Sequence, residues 1–255
     1  MAIVGLIVFI VCLLLLLTLR NKKSHRTISD HNTTNEIKPI DAKAYFNRGG
    51  AKSDLKDYTG ALQDYNKAIE INSKNAASYN CRGLVKHALQ DYQGAIQDYF
   101  KAIEIYPQFA EAYCNRGWAK VALQDYNGAM PDYNKAIEIN PQLFEAYFNR
   151  GAAKAYFQDF KGALQDFNKA IEINPNVSEV YWSRGMARDF FKDPRGAILD
   201  YNKAIEINPQ YPEAYYSRGL DKFELGDKNG ACFDVSKAGE LGLMIAYDFI
   251  QLFCK

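Results

Sequence analysis

Hydrophobic and polar positions change character once along the chain and then recur. The first stretch, Ala2–Leu19 (AIVGLIVFIVCLLLLLTL), is apolar on every side and carries no charge. At about 1.5 Å per helical residue it reaches roughly 27 Å, enough to cross a hydrocarbon core. Residues 1–19 are therefore expected to form a single transmembrane helix. Residues 20–41 are polar and lack a period, which reads as a flexible basic linker. From Ala42 onward, apolar residues return at helical spacing in paired segments. In AEAYCNRGWAKVAL, Ala112, Tyr113, Gly117, Lys120 and Leu123 share one face. In LQDYNGAMPDYNKAIEIN, Ala129, Met130, Tyr133, Ala136 and Ile137 share another. Asp125 is placed to cap this second helix, and Asn140-Pro141 stops it. Pro131 falls within its first turns, where it is tolerable but bends the start. The pattern predicts helix–turn–helix.

The pattern is periodic. Gly49, Gly83, Gly117, Gly151, Gly185 and Gly219 each follow an Arg and stand 34 residues apart. A Tyr lies four before each (Tyr45 to Tyr215), and Ala residues lie twelve and nineteen after each (Ala61 to Ala231, Ala68 to Ala238). Pro107, Pro141, Pro175 and Pro209 close four of the units. Small residues at fixed phase let helices approach, and the rings beside them fill the space.

This pattern resembles the tetratricopeptide repeat. The resemblance implies an all-α, right-handed α-solenoid of helix–turn–helix units. The units would be 42–75, 76–109, 110–143, 144–177, 178–211 and 212–245, the six together filling 42–245. Residues 243–255, with Leu243, Ile245, Ala246, Phe249, Ile250 and Phe253 on helical faces, look like the capping helix of such an array. One departure is systematic: an Arg stands where the family has an aliphatic residue before the Gly.

The charged positions form columns. Arg48, Arg82, Arg116, Arg150, Arg184 and Arg218 precede the Gly, and Lys52, Lys86, Lys120, Lys154, Arg188 or Lys222 lies three after it. Two cations four apart on one helix repel unless neutralised. Asp64, Asp98, Asp132, Asp166, Asp200 and Asp234 recur on the second helix at matched phase. An interhelical Arg/Lys–Asp ladder, partly buried and bidentate at Arg, is expected. Lys67, Glu70 and their counterparts read as a solvated outer face.

Fixed columns build the frame, so recognition is expected from columns that vary. The resemblance implies that first helices line a concave groove. The groove residues would be Phe46, Trp118, Phe148, Tyr156, Trp182, Met186, Phe190, Tyr216 and Phe223, an exposed aromatic stripe. Glu111, Glu145, Glu179 and Glu213 would form an acidic rim. Together they suit a protein or peptide partner with apolar anchors and basic flanks. Some family members hold a carboxylate tail with Lys and Asn. Asn47, Asn115 and Asn149 match part of that clamp, but its Lys partners are missing.

Composition excludes several chemistries. Lys and Arg total 31 against 30 Asp and Glu, a net charge of +1 that argues against a nucleic-acid partner held by bulk charge. Five Cys and three His show no metal-ligand spacing. No Ser/His/Asp set or phosphate loop appears, so no catalytic residue, metal, cofactor or small-molecule substrate is expected, and the chain reads as a non-enzyme. Arg20, Lys22, Lys23 and Arg26 follow the apolar span, which lacks a cleavage site. By the positive-inside rule this predicts a single-pass membrane protein with cytoplasmic repeats, bound to the bilayer through residues 2–19. The expected function is a membrane-anchored scaffold or adaptor. The alternative is an extracytoplasmic (periplasmic or envelope) assembly or secretion factor. Cys232 and Cys254 separate the two: they can pair outside the cytoplasm and stay reduced within it.

Overall fold

The computed structural model describes residues 41–254. The expected membrane-crossing helix over 1–19, and all of the 20–41 linker except Asp41, lie outside the described residues. Among the described residues no helix is long and apolar enough to cross a membrane, and every regular element is helical.

The chain divides into two compact units, one ending at Leu143 and one starting at Phe144. In the first, α1 (Ala42–Asp54) pairs with α2 (Tyr58–Ile71), α3 (Ala76–Ala88) with α4 (Tyr92–Ile105), and α5 (Ala110–Ala122) with α6 (Tyr126–Ile139). In the second, α7 (Phe144–Tyr156) pairs with α8 (Phe160–Ile173), α9 (Ser178–Phe190) with α10 (Pro194–Ile207), and α11 (Pro212–Glu224) with α12 (Lys228–Glu240). α13 (Ile245–Phe253) follows and packs on α12. Within each unit every helix packs on the next along the chain, and first helices also touch first helices (α1 with α3, α3 with α5, α7 with α9). Each unit is thus a short helical solenoid of stacked hairpins.

Local chemistry fixes the hairpin. Second helices begin at Asp57, Asp91, Asp125, Asp159, Asp193 and Asp227, whose carboxylates accept the backbone N–H three residues on. That third residue is always Gly: a Cβ on Gly128 would stand 2.0 Å from Asp125 Oδ2. The residue before each capping Asp ends the first helix in the left-handed region, at φ 62° for Lys56, 64° for Gln90, 63° for Gln124 and Gln158, 57° for Lys192 and 89° for Gly226. In α1, Lys56 N–H donates to Ser53 C=O and Asp57 N–H donates to Lys52 C=O, at 2.9 and 2.8 Å. This is the doubly bonded helix end that satisfies orphan carbonyls. Four second helices stop at extended residues that precede a Pro: Tyr106, Asn140, Asn174 and Asn208. Pro131 is accommodated inside α6. Asp41, at the end of the expected linker, is the N-cap of α1 and accepts Lys43 N–H at 2.9 Å.

The core is a line of contacts between paired helices. In the third hairpin, Ala129, Tyr133 and Ala136 are fully buried. A Cβ on Gly117 would meet the Tyr133 ring at 2.8 Å, so a larger residue there makes that buried ring shift. α13 closes the second unit. Its Ala246 and Phe249 pack on Val235 and Ala238 of α12, and a disulfide joins Cys232 to Cys254.

Candidate partner-binding surface and the ladder beneath it

The Arg column does three things at once. In each hairpin, Arg Nε and Nη2 donate to the two oxygens of the Asp sixteen residues on. For Arg116 and Asp132 the bonds are 3.0 and 2.6 Å, and for Arg150 and Asp166 they are 2.9 and 2.7 Å. The same forks join Arg48 to Asp64, Arg82 to Asp98, Arg184 to Asp200 and Arg218 to Asp234. The second cation of each first helix completes the group, with Lys120 Nζ 2.8 Å from Asp132 and Arg188 Nη1 3.0 Å from Asp200. Each guanidinium also lies over the Tyr three residues earlier, 5.2 Å from the ring centre for Arg48 and Tyr45. At Asp64 burial raises the carboxyl pKa, but the hydrogen bonds from Arg48 and Lys52 outweigh it and hold it below the usual carboxylate range. Ionised Asp64 is therefore the form its hairpin is built around.

The third duty lies in a further column. Arg82, Arg184 and Arg218 turn Nη1 to an Asn one repeat earlier, Asn66, Asn168 and Asn202, at 2.7, 2.8 and 2.6 Å. One side chain thereby joins its own hairpin and its neighbour. Where Arg116 would look for the same Asn, the chain has Phe100, exposed on α4. The Asn column, phased like the Asp column two residues before it, was the available signal.

The expected aromatic stripe is not continuous. Trp118, Phe148 and Trp182 are only 8%, 3% and 2% exposed. These positions face between helices rather than into solvent. The Trp118 ring stacks on His87 of the preceding repeat, with centres 3.4 Å apart. Phe148 meets Phe167 of its own second helix. Trp182 donates its indole N–H to Ser217 of the next repeat at 3.1 Å. Phe46, Met186 and Tyr216 are half-buried, with Phe46 against Tyr65 and Met186 Sδ near Ser217. Phe223 lies under α13, its ring 5.3 Å from Phe249. Stacked first helices consume the large side chains of the expected free wall. Asn115, part of the expected clamp remnant, donates to Asn80 at 2.8 Å in a buried bond between α3 and α5.

Tyr156 and Phe190 behave differently, at 46% and 57% exposed. They end α7 and α9, beside the turns, and they are not alone. Phe160 stacks on Phe190 with centres 3.8 Å apart. Phe191 meets Phe190 edge-on, and Phe157 meets Tyr156 edge-on. Phe157 and Phe191 occupy the turn position that is Leu55, Leu89, Leu123 and Leu225 elsewhere. Five aromatic rings therefore gather at two successive turns of the second unit.

Glu111, Glu145, Glu179 and Glu213 sit in the first turns of α5, α7, α9 and α11. Three of those helices lack a side-chain cap, and a carboxylate there favours the helix dipole. Burial raises the Glu213 carboxyl pKa. Only Glu111 is fully on the surface, so the four do not form an evenly exposed rim. Among the described residues, no group of three or more His, Cys, Asp or Glu is arranged to hold a metal ion.

Known proteins agree with this architecture. The TPR repeat family profile matches residues 49–90, 83–121, 117–158 and 195–226, and a second tetratricopeptide repeat profile matches 144–177. Among solved structures, YrrB, described as a TPR protein with an unusual peptide-binding site, is 25% identical with a TM-score of 0.55. That match covers 71% of this chain and 93% of YrrB. MamA is 27% identical with a TM-score of 0.57, over 62% of this chain and 93% of MamA. PilF of Pseudomonas aeruginosa, 17% identical, shares the fold with a TM-score of 0.75 over 83% of this chain and 96% of its own. No curated protein matches. With more than half its length matched by the family profile and its helices paired in hairpins, the chain belongs to the tetratricopeptide repeat family.

Proposed function

We propose that the protein is a scaffold that binds a protein or peptide partner through the aromatic cluster of Tyr156, Phe157, Phe160, Phe190 and Phe191. The observation that carries this reading is that five aromatic rings, four of them exposed, stand at two successive turns, with Phe160 stacked on Phe190 and Phe191 edge-on to it. Exposed aromatics in a cluster are a costly surface for water and a good one for an apolar anchor. The peptide-binding site recorded for YrrB adds to it. The uncharged span Ala2–Leu19 would tether the repeats to a bilayer and raise the local concentration of whatever they hold. Crosslinking capture with Phe157→Ala plus Phe191→Ala, set against wild type, tests the surface. The partner should be lost while the melting curve stays in place. Equal recovery of every captured protein from both chains would end the proposal.

One observation favours the extracytoplasmic reading over the cytoplasmic one. Cys232 and Cys254 are joined in the structure, and such a bond persists in oxidising compartments. The basic residues after the span argue for the other side. Thiol labelling of sealed vesicles decides between them. If the repeats face an oxidising space, Cys232 and Cys254 take label only after reduction. Labelling without reductant returns the repeats to the cytoplasm.

A further inference from the structure

The position two after the repeat Gly reads Ala51, Val85, Ala119, Ala153 and Ala187, then Asp221. It is a core position, and Asp221 on α11 is only 6% exposed. A carboxyl has replaced a small apolar group where first helices stack. Its neighbour is a second carboxyl, Asp189 at the end of α9, close enough for the two to share a proton. Tyr201 of α10 donates its hydroxyl to Asp189 Oδ2 at 2.5 Å. Asp189 Oδ1 and Asp221 Oδ2 are both buried and accept from no donor among the described residues.

Among the described residues no cation is recorded against the two. Arg188 and Lys222, their immediate chain neighbours, are committed to Asp200 and Asp234. The other groups that bear on the pair are acidic or neutral: Asp193 at the start of α10, Glu224 at the end of α11, and Tyr201. Two carboxylates can hydrogen-bond each other only through a proton, and two negative charges buried side by side repel strongly. Burial, then the neighbouring Asp189, push Asp221 up to about 9, while burial pushes Asp189 up to about 6 against Tyr201 and Asp221, whose contacts lower it. The same joint carries the Trp182–Ser217 bond between α9 and α11.

We propose that Asp189 and Asp221 hold one proton between them, and that this proton fastens the fifth repeat to the sixth. Its loss at alkaline pH replaces a hydrogen bond with a repulsion in the middle of the joint. The chain thus carries a pH-sensitive seam beside the aromatic cluster, independent of what that cluster binds.

The test compares the full chain with Asp221→Asn and Asp221→Ala, the latter restoring the residue found in four sister repeats. Between about pH 6 and 9 the folded pair keeps one proton that the unfolded chain, with carboxyls near the ordinary ~3.9, has released. The wild-type unfolding constant should then rise about tenfold per pH unit relative to either variant. Infrared spectra at pH 7.5 should show a buried protonated carboxyl band in wild type that is missing from both variants. Parallel pH profiles in all three chains, or no such band in folded wild type, would overturn the proposal. If one variant fails to fold, the other and the wild-type band still decide.

Discussion

Asp132 on α6 receives Arg116 through two hydrogen bonds and Lys120 through a third. Asp221 on α11, buried to a similar degree, meets Asp189 and no cation. One carboxyl meets two cations on the facing helix; the other meets a second carboxyl and, among the described residues, no cation. Burial alone does not set the state of a carboxyl in this array. What decides is whether the column opposite supplies positive charge, and at Asp221 that charge is already spent on the ladder. The ladder carboxylate removes a repulsion between Arg and Lys, while the Asp189–Asp221 pair creates one as soon as its proton leaves.

The contrast can be broken from either side. Asp132→Ala strands two half-buried cations four residues apart, and we expect a loss of about 3 kcal/mol in urea unfolding at pH 7. A loss below about 1 kcal/mol would demote the ladder to a set of surface ion pairs. Asp221→Ala should instead show a pH-dependent difference, wild type losing about 1.4 kcal/mol per pH unit relative to the variant between about pH 6 and 9 as the shared proton becomes harder to keep. A difference that stays constant over that range would mean that the pair holds no such proton. Acid separates the two classes further. Asp64 has its folded pKa depressed, so its contribution is present above the ordinary carboxylate range and lost as pH falls through the folded value. The penalty of Asp64→Asn, measured by thermal melting, should therefore shrink between pH 5 and pH 2; a constant penalty would contradict the ionic account. The smallest effect concerns the missing Asn. Phe100→Asn would give Arg116 the bond that Arg82 makes to Asn66, worth about 0.5–1 kcal/mol at a site this exposed. No gain would show that the Arg–Asn contact adds nothing to stacking.

Much of the frame could be read from the chain because it is written in columns. A Gly, an Arg, an Asp and two Ala at constant phase state which faces meet, and the 34-residue step repeats the statement. Exposure is harder, since it depends on what lies in the next hairpin. Trp118 and Trp182 look like free groove residues until His87 and Ser217 are set beside them. The aromatic cluster draws on the turn residues Phe157 and Phe191, which a groove-centred reading passes over. The Asp189–Asp221 pair was hidden for another reason. Neither Asp is unusual alone; Asp221 stands out only when its column of Ala and Val is read downward. The span Ala2–Leu19 remains a reading of sequence, outside the described residues.

The turn between paired helices has one further consequence. Asp57 closes α1 with its N–H and opens α2 with its carboxylate, and the same residue does both jobs in every later hairpin that follows this scheme, as at Asp125. Adding or deleting a single amino acid there would uncap two helices together. Copies of this unit are therefore free to drift in side chain but not in length, and the metronomic spacing along the chain is enforced at its tightest corner rather than in its hydrophobic interior.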